Sequence, residues 1–202
     1  WHFHPTGTAT VAYANVKDGG CESGSIIMTP TNYTDSGNNS FCWGTPTISF
    51  SLSSNSINLG GLSTSSAGSG SHTISVATNG QGGLALTYLG ATLTNQSSAT
   101  IPVYTSSASS PGTAGFGINL KNNATPDIGA KPTTNNGTCN IDSGYSTADA
   151  YTFVASTTTT IANSNSLPGS CVYTVSYIGN VAPLTASGTY STTITYIMTG
   201  TF

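Results

Sequence analysis

Apolar residues in this chain recur at every second position, in short runs cut apart by Gly, Ser, Asn and Pro. The run PTISFSLS at 46–53 alternates Ile48, Phe50 and Leu52 with Thr and Ser, and HTISVAT at 72–78 alternates Ile74 and Val76. Similar patterns cover 84–94 (broken at Gly90), 115–120, 150–154, 171–178 and 189–202. Successive strand side chains point to opposite faces, so each run presents one apolar and one hydroxylated face. No stretch carries a sustained 3.6-residue apolar stripe, so helices are not expected. Short strands at regular spacing between Gly/Ser/Asn-rich turns predict an all-β sandwich or barrel.

Charge is the next constraint. Only 4% of the 202 residues are charged and there is no arginine. A surface with three lysines cannot neutralise a row of phosphates, so nucleic acid is excluded as a partner. Low charge accompanies disorder only where apolar residues are also scarce, and here 36% are hydrophobic. No apolar run approaches the ~20 residues of a membrane-spanning helix. The sequence opens at Trp1 without a methionine or a basic-then-apolar leader, the expected remainder after signal-peptide cleavage, which predicts an extracellular, cell-surface protein.

Cys21, Cys42, Cys139 and Cys171 form an even set without a Cys-x-x-Cys pair, which favours disulfides over zinc. Nearest-neighbour pairing, Cys21–Cys42 and Cys139–Cys171, is the expectation, although spacing alone does not select among three connectivities.

The first residues carry their own alternation. Trp1, Phe3, Pro5, Gly7, Ala9, Val11 and Tyr13 share one side, with His2, His4 and the threonines on the other. Such rings need a place to be buried: either the first strand of the chain's own sandwich or the open sheet of a neighbouring copy. Pro5 suits an outer or interrupted strand, because it lacks the N–H of a ladder bond. The expected organisation is therefore a donor strand at 1–16 and a sandwich body at 17–202.

The closing stretch TASGTYSTTITYIMTGTF at 185–202 resembles the final strand of spore coat protein U-like and chaperone–usher pilin-like domains, where a Gly-Thr-Tyr turn leads into a last alternating strand. Over residues 46–202 the chain also resembles secreted surface proteins of Saccharibacteria and other candidate-phyla bacteria. That likeness is carried by SFSLSSNSINLGGLST at 49–64, SHTISVATNGQGGLALTY at 71–88, FGINL at 116–120 and VSYIGN at 175–180. The resemblance implies secretion and an immunoglobulin/pilin-like sandwich with an N-terminal donor strand, with Trp1, Phe3, Pro5, Ala9 and Val11 as the inserted groups and Gly7 where the groove is tight. Its departures are the proline, the two histidines and the cysteine spacing.

The chain is expected not to be an enzyme and to need no cofactor. Acid–base or nucleophilic catalysis needs a positioned base with a nucleophile or paired carboxylates. The histidines are His2, His4 and His72, the carboxylates are scattered through turns, and no hydrolase, metalloprotease, phosphate-loop or calcium-loop motif occurs. His2 and His4 share a strand face and suit a transition metal, but solvent-facing polar positions account for them. Asn-x-Ser/Thr sequons at Asn32, Asn38, Asn95, Asn123 and Asn136 mark possible glycosylation. The expected function is a structural subunit of an extracellular pilus-like filament, with identical copies as partners. The alternative is an adhesive or carbohydrate-binding module with a stacking platform of Tyr33, Trp43, Tyr145 and Tyr151.

Overall fold

The computed structural model describes residues 10–12, 21–24, 27–29, 39–42, 47–80, 82–135, 138–164 and 169–201, with side-chain detail from 47 to 200. The chain divides into two compact units, Trp1–Pro46 and Thr47–Phe202. The expected boundary after residue 16 falls outside the described residues. In the first unit β1 (Thr10–Ala12) pairs antiparallel with β3 (Ile27–Thr29), and β2 (Cys21–Gly24) with β4 (Asn39–Cys42). The second register sets the backbone of Cys21 directly opposite that of Cys42.

The second unit is an all-β sandwich, as the alternation predicts. Its first sheet runs, in spatial order, β5 (Ile48–Leu52), β6 (Gly68–Thr78), β17 (Gly169–Asn180), β10 (Gly115–Asn119), β15 (Tyr151–Thr152) and β9 (Thr105–Ser107), with β13 (Thr133–Thr134) on the remaining length of β17. The second sheet runs β14 (Asn140–Ile141), β16 (Thr159–Ser164), β7 (Gly83–Gly90) and β19 (Ile194–Thr201). Two short ladders, β8 (Thr94–Asn95) with β18 (Tyr190–Ser191) and β11 (Asn123–Ala124) with β12 (Asp127–Ile128), complete it. All the sheet pairings are antiparallel. One turn of 3-10 helix, Ser143–Tyr145, is capped by Asp142. No helix among the described residues is long and apolar enough to cross a membrane.

The core lies where the alternating rows meet. Ile74 and Val76 of β6, Leu84, Leu86 and Tyr88 of β7, Phe116 and Ile118 of β10, and Tyr173 and Val175 of β17 are buried in one cluster. Each such side chain contributes about 1.5–3 kcal/mol of transfer free energy. Cys139, just before β14, is bonded to Cys171 on β17, so the bridge ties the second sheet to the first. This is the expected second pair.

β10 is buried on both faces. Phe116 and Ile118 point into the core, while Gly115 and Gly117 point the other way, beneath the rings of Tyr104 and Tyr151. A Cβ on Gly115 would come 2.2 Å from Tyr104 ring atoms, and one on Gly117 would come 2.8 Å from the Tyr151 Cβ. The two glycines thus admit a second small cluster of Tyr104, Tyr151 and Ile178 on the back of the first sheet.

Candidate functional site

The edges of the sandwich carry the feature that the core does not explain. β5 ends the first sheet and β19 ends the second. The β5 register places Ile48 opposite Thr78, Phe50 opposite Val76 and Leu52 opposite Ile74, so these three side chains share the inward face with buried core residues. Yet Ile48, Phe50 and Leu52 are 48%, 40% and 36% exposed. The inward row of β19, Ile194, Tyr196 and Met198, is only partly buried against the core. Charged side chains usually blunt such edges; here every strand residue of β5 and β19 is uncharged.

Both edges lie on one side of the sandwich. The Tyr196 ring sits 5.6 Å, centroid to centroid, from His72 of β6, the strand beside β5. The far edge of the second sheet, β14, follows the disulfide that reaches β17 near β13. An uncharged seam therefore runs between β5 and β19.

One end of the seam is closed. After Leu52 the chain crosses the inward face of the first sheet, and Ile57, Leu59 and Leu62 pack over Gly68 and Gly70 of β6 and Gly179 of β17. A Cβ on Gly68 would meet Leu62 Cδ2 at 2.3 Å, and one on Gly70 would meet Ile57 Cγ2 at 2.6 Å, so only glycine allows this crossing.

A hydrogen-bond chain fixes the floor of that end. His72 Nδ1 lies 2.9 Å from the carbonyl oxygen of Ser54, which only accepts, so the neutral ring carries its hydrogen there. Nε2 then accepts from the Tyr177 hydroxyl at 3.0 Å, and Tyr177 accepts from Tyr196. Sequence reasoning missed His72 as a structural residue, and its position at the head of an alternating run was the available signal.

Two carboxylates of this unit are engaged in structure. Asp142 accepts from the amide of Gly144. Asp149 accepts from the amides of Ala124 and Thr125, both at 2.8 Å. Among the described residues no three of His, Cys, Asp and Glu gather closely enough to hold a metal ion.

The structure also places the residues expected for stacking and for glycosylation. Tyr145 and Tyr151 are 2% and 0% exposed, packed in the two clusters, and cannot form a stacking platform. Tyr33 and Trp43 lie outside the described residues. Asn123 is fully buried and donates both hydrogen bonds of its Nδ2 to backbone, to Lys121 and Ile128. The nitrogen that a glycan needs is therefore inaccessible in the folded chain. Asn95 is also buried, with its Oδ1 accepting from Ser97 and Ala99. Asn32, Asn38 and Asn136 lie outside the described residues, as do Trp1, Phe3, Pro5, Gly7, Ala9 and Tyr13, together with His2 and His4. Of the expected donor strand only the Val11 region is described, and its backbone pairs within the chain, Val11 opposite Met28.

The chain matches no protein-family model, no curated protein and no solved structure. The seam is accordingly read from its own chemistry: two uncharged strand edges, inward apolar rows left partly bare, and one closed end. Such a site takes an extended, apolar, uncharged segment, through ladder bonds to an edge and side chains alternating into the gap.

Proposed function

We propose that this chain is a structural subunit of an extracellular filament, in which a strand from one copy completes the sandwich of the next. The observation that carries the reading is the inward-facing yet exposed row of Ile48, Phe50 and Leu52, at an edge that faces the β19 side. A sandwich whose edge strand leaves its inward apolar row exposed is stabilised by a strand supplied from outside. The alternating apolar residues at the start of the chain are the matching element. Such a joint is head-to-tail and does not close, so it propagates. Three or four buried large apolar side chains, at about 1.5–3 kcal/mol each, make it long-lived. A disulfide inside the subunit suits assembly in an oxidising compartment.

Negative-stain electron microscopy of the full chain, beside a version lacking residues 1–14, tests the proposal. Filaments from the first and monodisperse particles from the second are expected. Monomers from both would overturn it.

A further inference from the structure

Building on the filament reading, we infer that residues 1–5 of a second copy, rather than residues 9–13, occupy the seam between β5 and β19, and that they stop against Ile57, Leu59 and Leu62.

Four observations converge on that segment. The exposed row of the seam is three side chains on a five-residue strand, about 17 Å long at ~3.3 Å per residue. Residues 1–5 have the same length, and Trp1, Phe3 and Pro5 give three apolar groups at the same spacing. Positions 7 and 9 offer only Gly and Ala, small beside the exposed row of Ile48, Phe50 and Leu52. Second, the backbone of Thr10–Ala12 is already paired with Ile27–Thr29 of its own chain, which commits one edge of residues 10–12 locally. Third, residues 6–9 separate this segment from β1 and leave a four-residue bridge between the two. Fourth, the side chains match in charge: residues 1–16 hold no Lys, Arg, Asp or Glu, and neither do β5 and β19. A Lys, Arg, Asp or Glu side chain in the inserted row would be desolvated opposite apolar groups, at a cost that no partner there offsets. Pro5 ends the insert, because it has no N–H to extend the ladder.

Photo-crosslinking of the full chain distinguishes the two halves of the segment. p-Benzoylphenylalanine is placed at position 3 or at position 11, and isotopically labelled and unlabelled copies are mixed, allowed to assemble and irradiated. The expected result is a labelled–unlabelled cross-link from position 3 to the peptides holding 48–52 or 194–201, with position 11 linking only within its own copy. Filaments in which position 11, and not position 3, reaches the neighbour's seam would overturn the five-residue assignment and leave the filament reading standing. Absence of both filaments and inter-copy links would remove both. Phe50→Lys provides an independent check. Its side chain is 40% exposed, so the circular dichroism spectrum should be unchanged while assembly is lost. Filaments that persist in this variant, cross-linked elsewhere from position 3, would overturn the assignment.

Discussion

Cys139 and Cys171 are joined with their Cα atoms 5.7 Å apart and a sequence separation of 32, one beside the edge of the second sheet and the other on the longest strand of the first. Opening this bridge frees the unfolded chain of a loop of that length, so Cys139→Ala with Cys171→Ala should lower stability by about 3–4 kcal/mol. Urea unfolding of the oxidised and substituted proteins measures it. A midpoint that does not move would mean that the sheets are held together without the bridge. The β2–β4 register makes a further claim: non-reducing peptide mapping should recover Cys21 linked to Cys42, and a peptide joining either to Cys139 or Cys171 would contradict the described pairing.

Gly115 exists to admit a ring. Gly115→Ala sets a methyl group 2.2 Å from Tyr104 atoms, and overpacking of this kind costs about 1–3 kcal/mol. Removing the ring as well, in Gly115→Ala with Tyr104→Ala, should cost less than the two single changes added together. Strict additivity in thermal unfolding would place the strain elsewhere.

Burial makes tyrosine ionisation the alkaline limit of this fold. Burial pushes the hydroxyls of Tyr151 and Tyr177 up to about 12. It raises those of Tyr88, Tyr145, Tyr173 and Tyr196 above 10.0 as well. The Tyr151 hydroxyl is buried with no hydrogen-bond partner among the described residues, so nothing there compensates a phenolate. A group whose folded value is raised contributes stability that is complete below its unfolded value and is lost as pH rises through the folded one. Stability should therefore hold through the neutral range on account of these groups and fall from about pH 10 upward. Tyrosinate absorbance should show the six named rings appearing together, at the pH of unfolding. Independent titration of all ten tyrosines would refute their burial.

Asn123 ties together three stretches of backbone, at Lys121, Ile128 and Asp149. Beyond its two donated bonds, its Oδ1 accepts from the amide of Asp149 at 2.8 Å. Asn123→Ala should cost about 2 kcal/mol or more, because buried carbonyls and an amide lose their partners. Peptide mapping of protein from a glycosylating host should find this position bare, and a glycan on it in folded protein would overturn the assignment.

Strand existence was legible from alternation alone: the runs at 46–53, 72–78 and 171–178 became β5, β6 and β17 with boundaries shifted by a few residues. β16 was not legible, because its only large apolar group, Ile161, is followed directly by Ala162 and both are buried. The pairing shifts register between Thr160 and Ala162, and that irregularity breaks the period of two on which the reading depends. The platform of Tyr145 and Tyr151 misled for a related reason. Composition identifies aromatic residues, but only Gly117 and the return of the chain through β15 explain why Tyr151 lies beneath another layer. The seam itself was half visible. Ile48, Phe50 and Leu52 read as an ordinary core row, and nothing local reveals that the second sheet ends at β19 before covering them.

The crossing at Ile57, Leu59 and Leu62 has a further consequence. A slot with a floor admits every insert to one depth, so a row of such joints repeats at a fixed interval along its axis. Ordered fibres of this protein should then diffract with sharp layer lines. A slot open at both ends would let each joint slide by two residues and smear them. In the proposed assembly the three glycines beneath that crossing set the depth of each joint, and widening any one with a side chain should alter the repeat before it alters the strength of the joint.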